Sequence, residues 1–400
     1  MSSNNVPNGK SKYTATVYFP SWGIYERQYG VNKLPIGVVP RIAYAFFDAR
    51  PDPSTGHLIP VSGDPWADFD KRMAGGESVN PPDSWSTPSA SGYYGNFGQF
   101  YKLKHVQKKQ FKLILALFGW TWSSKCSDVY ATQDSRKAFV DGLISIFKRY
   151  SIFDGVSIDH EYLSDDGKNY GKTGNVARPQ DGSNFVEFLR LLRRQLDANG
   201  FKHFEISMCC TAAPEKARFP IEKIHPLLTY LEVMTYDFAD GGWSAGTCMA
   251  THHTNLRPTK HSPYSVQTAV DHYVKRGVPS HKLLVGIATY SRGFSNCEGL
   301  HAPSRGGSSD KDWDAGSVDF KNLPRPGATE HWDDEAKASY SYDPVRKVLN
   351  SYDCPRSVRE KCKFVKQRKL GGVLMWEASG DHPVTHPRSL IKVVRDELLK

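Results

Sequence analysis

Eight short apolar, β-branched runs separated by amphipathic helical stretches predict an α/β fold, with a parallel sheet closed into a (β/α)8 TIM barrel. Three observations carry this prediction. The runs number eight, which suits a closed barrel better than an open sheet. No GxGxxG follows any of them and no Walker loop is present, which weakens the case for a dinucleotide-binding sheet. Polar and aromatic residues gather where the apolar runs end, and a barrel carries its chemistry at the carboxyl ends of its strands.

The expected strands are, in order, Tyr13–Trp22, Arg41–Phe47, Phe111–Trp120, Gly155–Glu161, Phe204–Thr211, Tyr230–Phe238, Leu283–Tyr290 and Gly372–Glu377. Between them, Asp134 or Ser135 caps a helix that puts Phe139, Val140, Leu143, Ile144 and Phe147 on one face. Ser183 opens another, with Phe185, Phe188, Leu189, Leu192 and Leu196, closed by Gly200. Further helices fit Val266–Arg276, Ser357–Lys369 and Pro387–Leu399. Two stretches leave the pattern. Residues 49–100, rich in Pro, Gly, Ser and aromatics, read as an elaborated loop over the barrel mouth. Residues 295–345 read as a small α+β insertion between strands seven and eight. The barrel then occupies residues 13–294 and 346–400, after a flexible polar N-terminus over residues 1–12.

Four hundred residues with 39% hydrophobic and 24% charged content are ordinary for a globular chain with a sizeable core, so long disorder is excluded. No apolar run approaches the ~20 residues of a membrane span. The 52 Lys and Arg exceed the 42 Asp and Glu by 10, but the excess is scattered, for example over Lys102, Lys104, Lys108 and Lys109 and over Arg190, Arg193 and Arg194. Scattered charge reads as solvated helix faces, so neither nucleic acid nor a membrane is expected as a partner. Seven cysteines, an odd count without a CxxC pair, support neither a disulfide scaffold nor a zinc ribbon. Cys209 and Cys210 are expected as buried thiols, while Cys354 and Cys362 are open to pairing or not. Met1–Lys12 lacks the apolar stretch of a signal peptide, which leaves the export route open.

The most informative segment is FDGVSIDHEY, residues 153–162. Alternation along a strand sends Ser157, Asp159 and Glu161 to one face, with the carboxylates ~7 Å apart. Two carboxyls at that spacing interact, so one tends to keep its proton near neutral pH. A protonated carboxyl is what the leaving oxygen of a glycoside needs. An Asp–Glu pair bound to barrel arginines is the competing structural explanation. Other strand ends are similarly polar: Met234-Thr235-Tyr236-Asp237-Phe238, Tyr290-Ser291-Arg292, Trp376-Glu377, and the aromatics Tyr18, Trp22 and Trp120. Aromatic rings around a carboxylate pair suit a neutral sugar, whose C–H faces stack on them. A nucleic-acid channel would add a clustered basic groove.

These segments resemble family 18 glycoside hydrolases, the chitinases and their relatives. FDGVSIDHEY is similar to the family's DGxDxDxE signature. MTYDF, YSRGF and GGVLMWEASGD resemble its sixth, seventh and eighth strand motifs, and YFPSWGIY and LFGWTWS its first and third. GNFGQF (95–100), KDWDAGSVDF (311–320) and SYDCPRSVREKCKFVKQRKLGG resemble the bacterial chitinase A type with its α+β insertion. The resemblance implies substrate-assisted, retaining cleavage of β-1,4-linked N-acetylglucosamine in chitin or chitooligosaccharides, with no cofactor and no metal. By position, Glu161 is implied as general acid, Asp159 as the residue that holds the N-acetyl group, and Tyr236 as its hydrogen-bond donor. Trp376 is implied as the floor of the cleaved sugar's site, with Met234 and Asp237 beside it and Arg292 against substrate. Tyr18, Trp22, Trp120, Trp313 and Asp314 are implied around the substrate or along neighbouring sugar sites. An extracellular polymer as substrate implies action outside the cell.

The chain departs from the family pattern at three places. Ser157 replaces the middle Asp of the signature, so it can donate a hydrogen bond to Asp159 but cannot share a proton, which implies reduced or pH-shifted activity. His160 occupies the outward position next to the acid, where burial against helices is expected. Phe118 replaces the first Gly of the third-strand pair, preceded by Ala116 where Ser is common. A non-catalytic sugar-binding barrel, or a subunit of a larger secreted assembly, is the alternative function; relatives of that kind usually lose the acid, which this chain keeps. A relative cleaving the chitobiose core of N-glycans is disfavoured by the insertion. His252, His253 and His261 have no zinc-site spacing and read as loop histidines.

Overall fold

A computed structural model describes residues 11–239, 247–305, 308 and 310–400. Residues 1–10 of the expected flexible N-terminus, and residues 306, 307 and 309 of the expected insertion, lie outside the described residues. The chain divides into two compact units, Tyr18–Leu231 and Met1–Val17 with Glu232–Lys400.

Eight parallel strands form the central sheet: β1 (Thr14–Pro20), β2 (Arg41–Pro51), β3 (Lys112–Phe118), β4 (Gly155–Asp159), β5 (Glu205–Thr211), β6 (Tyr230–Met234), β7 (Leu283–Ala288) and β8 (Gly372–Trp376). Their order is β1-β8-β7-β6-β5-β4-β3-β2, and β2 pairs back with β1, which closes the barrel. The composition of the strands explains their place. Parallel strands are covered on both faces, so they are apolar throughout instead of alternating. β7 is buried at every residue and β3 at all but Lys112. Most strands stop earlier than their apolar runs suggest: β4 at Asp159, β6 at Met234 and β7 at Ala288. The polar residues that follow belong to the loops, where the chain turns away from its neighbours.

In Tyr18–Leu231, β2 runs on to Pro51 because Leu58–Ser62 pairs with it antiparallel, from Phe47 opposite Ser62 to Pro51 opposite Leu58. The 49–100 stretch is thus more than a loop; it also holds a wide turn at Trp66–Asp70 and a helix at Gly95–Tyr101. Asp68, wholly buried, ties this stretch to the barrel: Tyr44 of β2 donates to its Oδ1 and the Ser62 hydroxyl to its Oδ2 at 2.6 Å. Asn96 Nδ2 donates to the Tyr44 hydroxyl at 3.1 Å. The helix Gln133–Arg149 starts at Thr132, not at Asp134 or Ser135. Thr132 and Ser135 cap each other's backbone reciprocally, and the five predicted apolar residues form its buried face. The helix Asp181–Ala198 likewise begins two residues before Ser183, with Gly200 following at φ 86°. Arg41, at the amino end of β2, is 1% exposed; it donates to Glu205 Oε2 at 2.9 Å and to Ser207 Oγ at 2.7 Å. A buried arginine of the barrel therefore binds Glu205 at the start of β5, at the end of the strands opposite Asp159.

In the other unit, the excursion after β7 builds a four-stranded antiparallel sheet, ordered Ser291–Phe294, Val348–Tyr352, Ala338–Asp343, Thr329–Asp333. Ser291–Arg292, read from the sequence as the end of a barrel strand, is the start of this sheet. Its first and last chain segments pair directly, Ser291 with Tyr352 and Phe294 with Leu349. The helix Pro355–Arg368 follows, with proline in its first turn and Lys369 left-handed at its end, φ 52°. From this helix the fully buried Lys361 reaches Asp353 Oδ2 and the Thr254 hydroxyl, both at 2.6 Å. The expected C-terminal helix is a short one, Leu390–Val394, continued by a wider turn at Arg395–Leu399. No helix among the described residues is long and apolar enough to cross a membrane.

Candidate active site

Each unit supplies its own set of polar and aromatic residues at the carboxyl ends of its strands.

In Tyr18–Leu231 the set centres on β4. Ser157 and Asp159 lie within the strand, two residues apart and on one face, 0% and 4% exposed. Glu161 lies two residues further on, just past the strand, and is half-buried. Ser157 is flanked in register by Ala116 of β3 and Ser207 of β5, so small side chains surround it along the sheet. His160 is buried against Tyr130, with ring centroids 5.7 Å apart, and burial lowers its pKa to about 3. It is a neutral packing residue, as expected. Tyr18 is 1% exposed, with its hydroxyl 3.0 Å from Cys209 Sγ. Both Cys209 and Cys210 are buried. Trp22 stacks on Phe46 at 6.3 Å and remains 37% exposed, and Trp120 is 48% exposed. Phe118, in the place of the family's glycine, has a φ of 75°, and its ring stacks on Phe139 at 5.6 Å. The next residue, Gly119, is also left-handed, and a Cβ there would meet the Phe46 ring at 2.8 Å.

The other unit arranges its residues around Asp237, just beyond β6. Met234 ends that strand and is buried, and Tyr236 is half-buried. The Tyr236 ring lies over Gly286 of β7, where a Cβ would come within 2.7 Å of it. Asp237 Oδ1 accepts from Arg292 Nε at 2.7 Å and from the Tyr290 hydroxyl at 2.9 Å. His253 Nδ1 is 3.6 Å from the same oxygen. Burial alone would raise the Asp237 pKa, but the Arg292 charge and the His253 and Arg292 hydrogen bonds hold it well below the carboxylate range. His253 is itself fully buried, and burial keeps its pKa below the usual value. Trp376, at the end of β8, is half-buried, and its backbone is held by Thr289: the Thr289 N–H donates to Trp376 O at 2.9 Å. The Glu377 N–H donates to Thr289 Oγ1 at 2.7 Å. The Glu377 carboxylate is engaged by Ser379, through N–H at 2.9 Å and Oγ at 2.5 Å. Trp313 Nε1 donates to Asp319 Oδ2 at 3.0 Å, and Asp314 beside it is exposed.

Sequence reasoning passed over three residues in these sets. His252 and His253 lie in a loop, as read, but both are wholly buried there, His252 with Nε2 3.0 Å from Asp333 and His253 against Asp237. Only the long-range fold brings them to those carboxylates. Ser123 also carried no signal, yet its hydroxyl accepts the Glu161 N–H at 2.9 Å. Cys354 and Cys362 are free thiols. Among the described residues no group of three or more His, Cys, Asp or Glu is arranged to hold a metal ion.

Comparison with known proteins gives the family and agrees with the barrel fold. Residues 14–381 match the family model described as glycosyl hydrolases family 18. Over 396 residues the chain is 33% identical to Endochitinase 1 of Metarhizium robertsii, spanning 96% of this chain and 85% of that protein. It is 34% identical to Chitinase 1 of Aphanocladium album over 376 residues, 92% of this chain and 82% of the other. Among solved structures it is similar to the catalytic domain of the psychrophilic chitinase B from Arthrobacter TAD20. That match has a TM-score of 0.86 and 26% identity, covering 96% of this chain and 95% of that one. With the family model matched over nearly all of its length, the chain belongs to family 18 of the glycosyl hydrolases, and it is a glycoside hydrolase on a (β/α)8 barrel.

Proposed function

We propose that this enzyme is a chitinase that cleaves β-1,4-linked N-acetylglucosamine in chitin and chitooligosaccharides, with retention and with help from the substrate's own N-acetyl group. The observation that carries the role assignment is the pairing of a buried Asp159 inside β4 with a half-buried Glu161 just beyond it. Glu161 gives its proton to the scissile oxygen as the C1–O bond breaks. Asp159 orients the acetamido group, whose carbonyl oxygen forms the new bond to C1, and Tyr236 donates a hydrogen bond to that group. Water then opens the oxazolinium, and Glu161 takes the proton that the water loses.

Trp376 forms the floor of the cleaved sugar's site, with Met234 and Asp237 beside it. Arg292, held to Asp237 through Nε, contacts or orients the substrate. Tyr18 supports the reacting centre from the buried side. Trp22, Trp120, Trp313 and Asp314 line neighbouring sugar sites, the exposed indoles offering faces for pyranose rings. Since chitin is an extracellular polymer, we place the enzyme's action outside the cell.

The test is hydrolysis of a fluorogenic chitobioside and chitotrioside across pH 4–9, with Glu161→Gln as control. The expected result is turnover that the substitution removes while oligosaccharide binding survives. Unchanged turnover in Glu161→Gln would overturn the acid assignment, and binding without turnover in the wild type would make the protein a sugar-binding barrel.

A further inference from the structure

Glu161 lies beyond the end of β4, so strand pairing does not fix its backbone. A proton donor must nevertheless stay within hydrogen-bond reach of one oxygen, and misplacement by about 1 Å can cost about 100-fold in rate. Resting on the reading of Glu161 as the acid, we infer that Ser123, Asn175 and Gly171 clamp its backbone and are positioning residues for proton transfer.

The clamp closes on both peptide groups of Glu161. On one side its N–H donates to Ser123 Oγ at 2.9 Å. That hydroxyl, fully buried, donates in turn to the Gly119 carbonyl at 2.8 Å and lies 3.4 Å from the Asp159 carbonyl. One oxygen atom thereby links the chain leaving β3, at the residue before Trp120, to the chain leaving β4. On the other side the Glu161 carbonyl accepts from Asn175 Nδ2 at 3.0 Å. Gly171 packs against the same carbonyl so closely that a Cβ would come within 1.9 Å of the oxygen. The segment that supplies both residues is itself braced, with the Asn175 N–H donating to Lys172 O at 3.1 Å and the Gly171 N–H to Asn169 Oδ1 at 2.9 Å.

All three contacts act on the peptide groups of Glu161 and not on its carboxyl. They set where the side chain starts while leaving its proton for the reaction. A residue with that job affects steps that need the proton and spares steps that do not, which separates positioning from mere structural support.

The experiment compares Ser123→Ala, Asn175→Asp and Gly171→Ala on two substrates, a natural chitooligosaccharide and a dinitrophenyl chitobioside whose leaving group departs without a proton. Asn175→Asp keeps the size of the side chain but removes the donor, and its half-buried loop position spares the fold should Ser123→Ala melt early. On the oligosaccharide each variant is expected to lose about tenfold in kcat with KM held within about twofold. On the dinitrophenyl substrate kcat/KM, which reports the breaking of the C1–O bond and not the later attack of water, should stay near the wild-type value, against a fall of about tenfold in kcat/KM on the oligosaccharide. Equal losses on both substrates, or no loss on either, would overturn the clamp. Glu161→Gln separates the two readings. If it abolishes oligosaccharide turnover while the clamp variants behave as wild type, the clamp alone fails; if it leaves turnover intact, the acid reading fails first.

Discussion

Arg292 Nε stands 2.7 Å from Asp237 Oδ1, the same oxygen that receives the Tyr290 hydroxyl at 2.9 Å. The guanidinium also lies over the Tyr290 ring, 5.0 Å from its centroid. Arginine is thus oriented by a carboxylate on one side and an aromatic face on another, a geometry lysine does not reproduce. Because the Asp237 pKa is depressed in the folded protein, its ionised form contributes stability that is fully present above the unfolded carboxylate range and falls away progressively as pH drops below about 4 toward the depressed folded value. Asp237 therefore stays charged across pH 4–9 and does not set the acid limb of activity. Arg292→Met should lower stability by about 2 kcal/mol at pH 7, with the gap to wild type narrowing below pH 4. Urea unfolding at pH 7 and pH 3 checks this, and an equal gap at both would contradict it.

Ser157 sits beside Asp159 on one strand face, between Ala116 and Ser207 in register. Placing a carboxyl there adds a group that competes with Asp159 for charge, so one of the pair retains its proton to higher pH. Ser157→Asp should shift the pH profile of chitotrioside hydrolysis upward. Superimposable profiles would show that the serine is fully compensated.

Asp68 belongs to no catalytic assignment, but burial pushes its pKa up to about 7 against the lowering effect of the Ser62 and Tyr44 hydrogen bonds. A raised carboxylate pKa means that the folded state holds a proton the unfolded chain has released. Stability then falls as pH rises from about 4 to about 7. Asp68→Asn removes that titration, so its melting temperature should gain on wild type as pH rises from 4 to 8. Parallel curves would exclude Asp68 as the titrating group.

Lys361 and Asp353 form an ion pair with no exposed side-chain surface, and Asp353 also accepts from the Ser357 hydroxyl and the Ala288 N–H. Lys361→Met leaves that carboxylate buried without its cation and should cost about 3 kcal/mol. The substitution is expected to lower the denaturation midpoint while kcat/KM on chitotrioside stays the same. A midpoint unchanged from wild type would rule out a net contribution from the pair.

The eight strands were legible because a parallel barrel needs continuous apolar runs, and the sequence has them. Their ends were not, because a run such as Gly155–Glu161 carries no mark where pairing stops; the structure keeps Ser157 and Asp159 in the strand and moves Glu161 beyond it. Ser291–Arg292 read only as the polar finish of the seventh strand, since its partners in the antiparallel sheet, Tyr352 and Ser351, are about sixty residues away. The capping residue of Gln133–Arg149 was misplaced by two or three positions because Thr132, Asp134 and Ser135 are all good caps, and only the geometry selects Thr132. Ser123, Asn175 and His253 were invisible as partners of Glu161 and Asp237. Serine, asparagine and histidine are ordinary loop residues until the fold brings them to a carboxylate or a peptide group.

The pairing of Ser291–Phe294 with Val348–Tyr352 has a consequence for how this enzyme can change. The excursion leaves the barrel and re-enters it along one antiparallel ladder, so its two stems are already zipped together. Lengthening or trimming the chain between such stems adds little closure entropy, which grows only slowly with loop length. A change of length in the turns that join its strands therefore asks little of the ladder that holds the stems in register.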